Sequence, residues 1–338
     1  MIRFESVTKR YPDGTVAVNN LSLEAPSHEI TVLVGPSGCG KTTSLRMINR
    51  MLDPTEGRIW LDDQDISTVR PAQLRRGMGY VIQSAGLFPH RTVVDNIATV
   101  PLLLKQDRRQ ARAKAMELLE RVGLPAQFAK RYPAQLSGGQ QQRVGVARAL
   151  AADPNVMLMD EPFSAVDPVV RAQLQDEFLR LQQELGKTIA MVTHDIDEAI
   201  KLGDVVAIFR QGGVLAQVGT PRELLEQPAD EFVAEFVGRD RGLRSLSFDT
   251  AAALPVRDVK EAPDLVLDDN GRPAGWRTGR GLQDAGTFTR DDSLRLVTDL
   301  TITSPAGIAV RVGPDGKADG IVSHHDLADH LAKRRETM

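Results

Sequence analysis

The sequence predicts an α/β protein: a parallel core sheet covered by helices, followed by a smaller α+β domain. Three observations carry this reading. Apolar, β-branched runs that suit strands buried on both faces occur at Ile30–Val34, 79–82, Val156–Asp160, Thr188–Thr193 and 205–209. Helix-like segments alternate with the last three, the pattern of strands laid parallel with helices over them. After Gly238 the texture changes to short strands and Gly- and Asp-rich turns, with 15 Lys+Arg against 16 Asp+Glu in the last 100 residues.

The elements follow in order. Residues 2–23 read as short strands broken at Pro12-Asp13-Gly14, a turn composition that favours an antiparallel ribbon. The strand Ile30–Val34 leads through a Gly-rich turn into a helix predicted over 41 to about 51. Between about 84 and 154 no comparable strand occurs. Amphipathic stretches such as 107–122 there predict a helical subdomain inserted into the core. The domains are therefore set at 1–238, a linker at 239–250 and a tail at 251–338. Within the tail, residues 264–275 and 309–320 each read as strand, turn, strand, which suggests an internal repeat.

Composition bounds the function. The 338 residues are 41% hydrophobic and 26% charged, as in a folded protein with a core, and the formal charge is only −3. That balance gives no case for nucleic acid as a partner. One cysteine, Cys39, makes neither an internal disulfide nor a cysteine-based metal site, so a reducing cytoplasm is the expected compartment. No uncharged apolar run reaches the ~18 residues of a membrane span. A membrane role would run through a partner.

Two motifs carry chemistry. Gly35, Pro36, Ser37, Gly38, Cys39, Gly40, Lys41 and Thr42 fit G-x-x-x-x-G-K-S/T, after a buried strand and before a helix. Glycines let the backbone curl so that successive N–H groups face phosphate oxygens, and the helix presents its positive end to the same anion. Lys41 adds a full charge between the β- and γ-phosphates, and the Thr42 hydroxyl offers a hard oxygen to Mg²⁺. ATP and Mg²⁺ are the expected ligands. The second motif is the apolar strand ending in Asp160 and Glu161. One carboxylate would orient the Mg²⁺ water and the other polarise an attacking water, with His194 at the γ-phosphate. Two readings are open for Cys39: a redox-sensitive thiol made acidic by the helix N-terminus, or a small residue filling the loop.

Leu136-Ser137-Gly138-Gly139-Gln140, before a helix-like stretch at 141–151 and lying between these motifs with Gln83 upstream, Ser164-Ala-Val-Asp167 after Glu161 and His194 downstream, resembles the signature of ATP-binding-cassette (ABC) ATPases over about residues 1–238. The resemblance implies roles residue by residue. Tyr11 would stack on adenine, residues 35–42 with Thr43 and Asp160 would hold the nucleotide, and Thr42, Gln83 and Asp160, the last through water, would serve Mg²⁺. Glu161 would be the general base, assisted by His194, Lys41 and Gln83. Ser137, Gly138, Gly139, Gln140 and Asp167 would act across a head-to-tail homodimer, on the ATP held by the other protomer.

The family contains importers, soluble ATPases and regulatory modules. No second cassette or long insertion points to the soluble kind, and Glu161 and His194 argue against a non-hydrolysing module. Residues 213–224 are similar to the ending of bacterial importer ATPases. Residues 76–90 and 236–246 resemble the subfamily that takes up glycine betaine, choline, carnitine and related osmoprotectants. That subfamily carries repeats of the cystathionine-β-synthase (CBS) type, and residues 320–327 are similar to the end of one such unit. The first unit departs from it, because 256–264 is too short for the usual helix. The tail is therefore expected to be degenerate, regulatory or dimerising. These likenesses imply an ATPase on the cytoplasmic face of the membrane. It would bind integral permease subunits and, indirectly, an extracytoplasmic solute-binding protein. An importer of another small polar solute, such as an amino acid or polyamine, is the alternative, and a soluble ATPase a more distant one. Leu87-Phe88-Pro89-His90 reads either as the seat of a permease helix or as a buried loop.

Overall fold

The chain opens on an antiparallel hairpin, β1 (Ile2–Arg10) and β2 (Val16–Ala25), turned at Pro12-Asp13-Gly14 where Asp13 accepts from the Thr15 N–H at 3.0 Å. Next come β3 (Ile30–Val34), α1 (Lys41–Ile48), β4 (Glu56–Leu61), β5 (Gln64–Asp65), α2 (Pro71–Arg76) and β6 (Met78–Val81). Among the described residues only helical elements follow, chiefly α3 (Val93–Ile97), α4 (Thr99–Leu103), α5 (Arg108–Arg121) and α6 (Gly138–Leu150), before the chain returns in β7 (Val156–Asp160). Then α7 (Pro168–Leu185), β8 (Thr188–Thr193), α8 (Ile196–Leu202), β9 (Val205–Arg210), β10 (Val214–Gly219), α9 (Pro221–Glu226) and α10 (Glu231–Val237) alternate to the end of the first unit, Met1–Val237. This is a computed structural model describing residues 1–83, 85–164 and 166–337, and of 169 and 334–337 the backbone alone.

Two sheets organise this unit. A four-stranded sheet runs β2-β1-β4-β5, and a six-stranded sheet runs β10-β9-β3-β8-β7-β6, parallel except for β10. Every residue of β3, β7 and β8 is buried, the burial that unbroken apolar runs require of strands covered on both faces. Because β3, β8, β7 and β6 are adjacent and parallel, whatever follows each strand emerges at the same sheet edge. That edge positions the site.

Helix ends differ from expectation in two places. Helix α1 stops at Ile48 rather than near 51, since Arg50 is left-handed (φ 53°) and the Met51 and Leu52 amides fold back onto the Arg46 carbonyl at 2.9 and 3.2 Å. Helix α6 starts at Gly138, earlier than the expected 141, because Ser137 caps it. Its hydroxyl accepts from Gln140 N, while Gln140 Oε1 accepts from Ser137 N at 3.0 Å. At α5 the predicted start holds, with the Asp107 carboxylate accepting from the Arg109 and Gln110 N–H groups.

The second unit, Gly238–Met338, has two three-stranded sheets. Helix α11 (Arg241–Ser245) precedes the first, which is β11 (Leu265–Leu267), β12 (Pro273–Thr278) and β13 (Gly281–Gln283), all antiparallel. The second holds β14 (Thr287–Phe288), parallel to β15 (Ile308–Val312), which pairs antiparallel with β16 (Ala318–Ser323). Helix α12 (Leu294–Thr303) lies between β14 and β15, and α13 (His324–Thr337) ends the unit. Each suspected repeat thus contains one hairpin. The segment 239–250, read as a linker, is instead folded: it contains α11, and Leu246 is buried with Ala251, Phe288, Leu294 and Val297 in the core of this unit. At 256–264 there is only a short 3₁₀ turn, Val259–Glu261.

Candidate functional site

The loop 35–40 is shaped by what its glycines avoid. Gly38 and Gly40 have φ of 77° and 96°, and a Cβ on Gly40 would sit 2.0 Å from the Ala17 carbonyl oxygen of β2. Behind the loop, Gln211 Nε2, just past β9, donates to the Ser37 carbonyl at 3.0 Å. Lys41, at the start of α1, is 6% exposed, and its ammonium donates to the Gly35 and Pro36 carbonyls at 2.7 and 2.8 Å. Gly40 precedes α1 without any side-chain cap, so the first N–H groups of the helix carry no side-chain acceptor. A curled loop, a buried ammonium and an uncapped helix start together make an anion cradle.

Across the sheet edge, Thr42 Oγ1 donates to Asp160 Oδ1 at 2.9 Å, bringing two hard oxygens together as a Mg²⁺ site requires. Burial pushes the Asp160 carboxyl above the usual carboxylate range, against the pull of the Thr42 hydroxyl and of Arg46, whose guanidinium is 3.9 Å away. Glu161 follows in a left-handed backbone (φ 47°) held by its N–H to the Val192 carbonyl at 2.9 Å. Its Oε2 accepts from Gln83 Nε2 at 2.8 Å, and its Oε1 lies 3.2 Å from His194 Nδ1. Strain of this kind in a non-glycine residue marks a position over-determined by its surroundings. Lys41, Thr42, Asp160, Glu161, Gln83 and His194 are thus assembled from the ends of four strands.

The other expected residues lie outside this cluster of contacts. Tyr11 is half-buried at the β1–β2 turn, with the Lys9 ammonium 5.7 Å from its ring centre. Thr43 follows Thr42 on α1 and is half-buried. Ser137, Gly138, Gly139 and Gln140 form the cap and first turn of α6, and Ser137 and Gln140 bond each other. Asp167 lies just before α7, its carbonyl accepting from the Arg171 N–H at 2.8 Å, while neighbouring Ala165 and, upstream, Ser84 lie outside the described residues.

The structure separates the two readings of Cys39. Cys39 is fully buried, and burial raises its thiol pKa more than Lys41, 3.7 Å from the sulfur, lowers it. An acidic, accessible thiol is not what the helix start produces here. The loop-filling reading fits, for a Cβ on Gly35 would lie 2.9 Å from the Cys39 sulfur. Phe88 also departs from the buried-loop reading: it is 39% exposed, with the Arg91 guanidinium 5.0 Å from its ring.

Sequence reasoning missed the residues that hold the loops. Asn96, fully buried on α3, accepts from the Phe88 N–H at 2.7 Å and donates to the Phe88, Arg91 and Thr92 carbonyls at 3.0 to 3.1 Å. Arg148 of α6 donates to the Ala85 and Gly86 carbonyls, both at 2.7 Å. An asparagine inside a short helix and an arginine late in a longer one carry no signal of their own, since both types are common in exposed positions.

The profile of the ABC transporter family matches residues 18–164. The osmoprotectant import ATP-binding protein OsmV of Salmonella typhimurium is 41% identical over 99% of this chain and 97% of its own length. The choline transport ATP-binding protein OpuBA of Bacillus subtilis is 52% identical, covering 88% of this chain and 76% of its own. The carnitine transport ATP-binding protein OpuCA of Listeria monocytogenes is 54% identical over 71% of this chain, a match spanning only 60% of that relative. Among solved structures, a dimeric ATP-binding cassette in a post-hydrolysis state with ADP and Pi has a TM-score of 0.59 at 33% identity, over 65% of this chain and 99% of its own. With the nucleotide-type loop, its facing carboxylates and these relatives in hand, the chain belongs to the family of ABC transporter ATP-binding proteins.

Proposed function

We propose that the chain is the ATP-hydrolysing subunit of an importer for a small methylated-amine osmoprotectant such as glycine betaine, choline or carnitine. The observation that carries hydrolysis is Glu161, whose two oxygens are engaged by Gln83 and His194 beside the Lys41 loop. A carboxylate has about four lone-pair sites, so one so engaged still accepts the proton of a water. Lys41 and the uncapped start of α1 neutralise the phosphates, while His194 orients Glu161. Thr42 and Gln83, with Asp160 through water, would hold Mg²⁺, which supplies charge stabilisation to the transferred phosphoryl group. The solute class rests on the relatives named for carnitine and choline transport.

Transport implies partners. No helix among the described residues is long and apolar enough to cross a membrane, so the solute path would belong to permease subunits. The exposed Phe88, fixed by Asn96, offers such a partner an aromatic anchor. The Ser137-Gly-Gly turn is a second anion cradle at a helix start, and a chain that already carries one cradle can use the second in a head-to-tail homodimer. The paired hairpins of the second unit support its reading as degenerate CBS-like repeats with a regulatory or dimerising role.

The test is uptake of radiolabelled glycine betaine, choline and carnitine in cells lacking the chain, complemented with wild type or Glu161→Gln. Uptake restored by wild type alone, with hydrolysis by the purified variant reduced ~10²–10⁴-fold and ATP binding retained, is the expected result. Uptake independent of the chain, beside intact ATPase activity, would move the solute to another class.

A further inference from the structure

A buried carboxylate behind the site has no part in the chemistry described so far. Glu198, in the first turn of α8, is 6% exposed, and Oε1 accepts from Nε2 of Gln175 on α7, itself 7% exposed, at 3.1 Å. Its second partner is the hydroxyl of Thr193, the last residue of β8 and 2% exposed, while Thr193 Oγ1 in turn accepts from the Asp195 N–H at 3.1 Å. Thr193 and Asp195 are the two neighbours of His194. Burying a carboxylate is costly unless it is fully hydrogen-bonded, so this one has to be accounted for.

The cluster extends toward the loop after Glu161. Arg171 of α7 lies 3.9 Å from the Asp195 carboxylate and donates to the Val166 carbonyl at 3.0 Å. Further along the same seam Lys201 of α8 pairs with Asp176 of α7 at 2.7 Å. Helix α7 therefore carries the segment 166–167 at its start and makes three polar contacts with the segment that follows His194, one to Asp195 of the turn and two to α8. The middle one, Gln175 to Glu198, is the buried one.

We propose that Glu198 is a positioning residue for hydrolysis: clamped between Gln175 and Thr193, it fixes the 193–195 turn so that the His194 imidazole meets Glu161. Through Gln175 it also ties that turn to α7, so that displacement at 166–167 is felt at His194. The inference rests on the ATPase reading above. A misplacement of about 1 Å in a group that orients reacting atoms costs up to ~10²-fold in rate, which sets the scale.

The donor and acceptor pattern gives a specific test. In Glu198→Gln the amide oxygen can stay on Gln175 Nε2 only by turning its NH₂ toward the Thr193 hydroxyl, which then loses its acceptor there and must rotate to accept instead. The swap Gln175→Glu with Glu198→Gln restores one acceptor facing one donor. ATPase kinetics of the full-length protein should show kcat lowered roughly 10- to 100-fold in Glu198→Gln, with KM for ATP within about twofold, and most of the loss recovered in the swap. In a His194→Ala background Glu198→Gln should cause no further loss, whereas a merely structural role would lower activity equally in both backgrounds. A kcat equal to wild type in Glu198→Gln, or losses that add with His194→Ala, would overturn the proposal while leaving the ATPase reading intact. Absence of hydrolysis by wild type would overturn both. Should Glu198→Gln fail to fold, the same cycle with Gln175→Leu, in place of Glu198→Gln, decides between the same outcomes.

Discussion

Replacing Asn96 with alanine isolates the device that holds the exposed loop beside Gln83. The side chain makes four hydrogen bonds to main-chain groups of residues 88–92 and is fully buried. The NH₂ has only two hydrogens for its three carbonyls, so about three full bonds at ~1 kcal/mol net each, reduced where freed carbonyls regain water, give an expected loss of roughly 1–3 kcal/mol. The damage should be local. Tryptic cleavage after Arg91 under native conditions measures the loosened loop, and urea unfolding measures the stability change. Asn96→Asp should not rescue: it keeps an acceptor for the Phe88 N–H but turns a carboxylate toward three carbonyl oxygens. ATP affinity should stay near wild type, since no contact of Asn96 reaches the Lys41 loop. A stability change below about 0.5 kcal/mol with unaltered cleavage at Arg91 would refute the argument, because it would mean that water replaces these bonds at no cost.

Two other substitutions test the site. Gly40→Ala places a methyl 2.0 Å from the Ala17 carbonyl in a left-handed backbone, whereas Gly38→Ala meets open space with a φ of 77°. Both strain the backbone by about 1–3 kcal/mol, and only Gly40→Ala adds a clash with β2, so its ATP affinity by equilibrium binding should fall further. Asp160→Asn should abolish Mg²⁺-dependent hydrolysis yet raise the melting temperature at neutral pH. The sign follows from the raised pKa: the buried ionised form costs stability above the folded-state value, and that cost is absent below the unfolded value of about 4, so the gain should vanish as pH falls toward 4. Equal melting temperatures at pH 7.5 would show that Thr42 and Arg46 fully compensate the burial.

Strand runs such as Ile30–Val34 and Val156–Asp160 were legible to the residue, because burial on both faces leaves an unbroken apolar signature. The phosphate-type loop and the Asp160-Glu161 pair were legible because their chemistry tolerates few residue types. What escaped was held by long-range geometry. Nothing local says that Arg148 reaches residues 85 and 86, or that Glu198 is buried, since glutamate in the first turn of a helix usually lies in solvent. The start of α6 escaped for a different reason. Paired glycines look like loop, yet the Ser137–Gln140 capping box, readable as S-x-x-Q, begins the helix there. Residues 239–250 read as linker because the texture changes after Gly238, while their one buried side chain, Leu246, folds them into the second unit.

The contacts of α6 give the site a mechanical logic beyond its chemistry. Its first turn presents Ser137, and its last turn holds residues 85 and 86 through Arg148, two positions beyond Gln83. One rigid helix therefore connects the second anion cradle to the side chain that donates to Glu161. On the opposite flank of Glu161, His194 is held by the seam between α7 and α8. The two hydrogen-bond partners of the base thus answer to different helices, α6 for Gln83 and α7 for His194. On the proposed ATPase reading, hydrolysis would require both helices to be in register at once, which would make Glu161 the point where movements of α6 and of α7 meet.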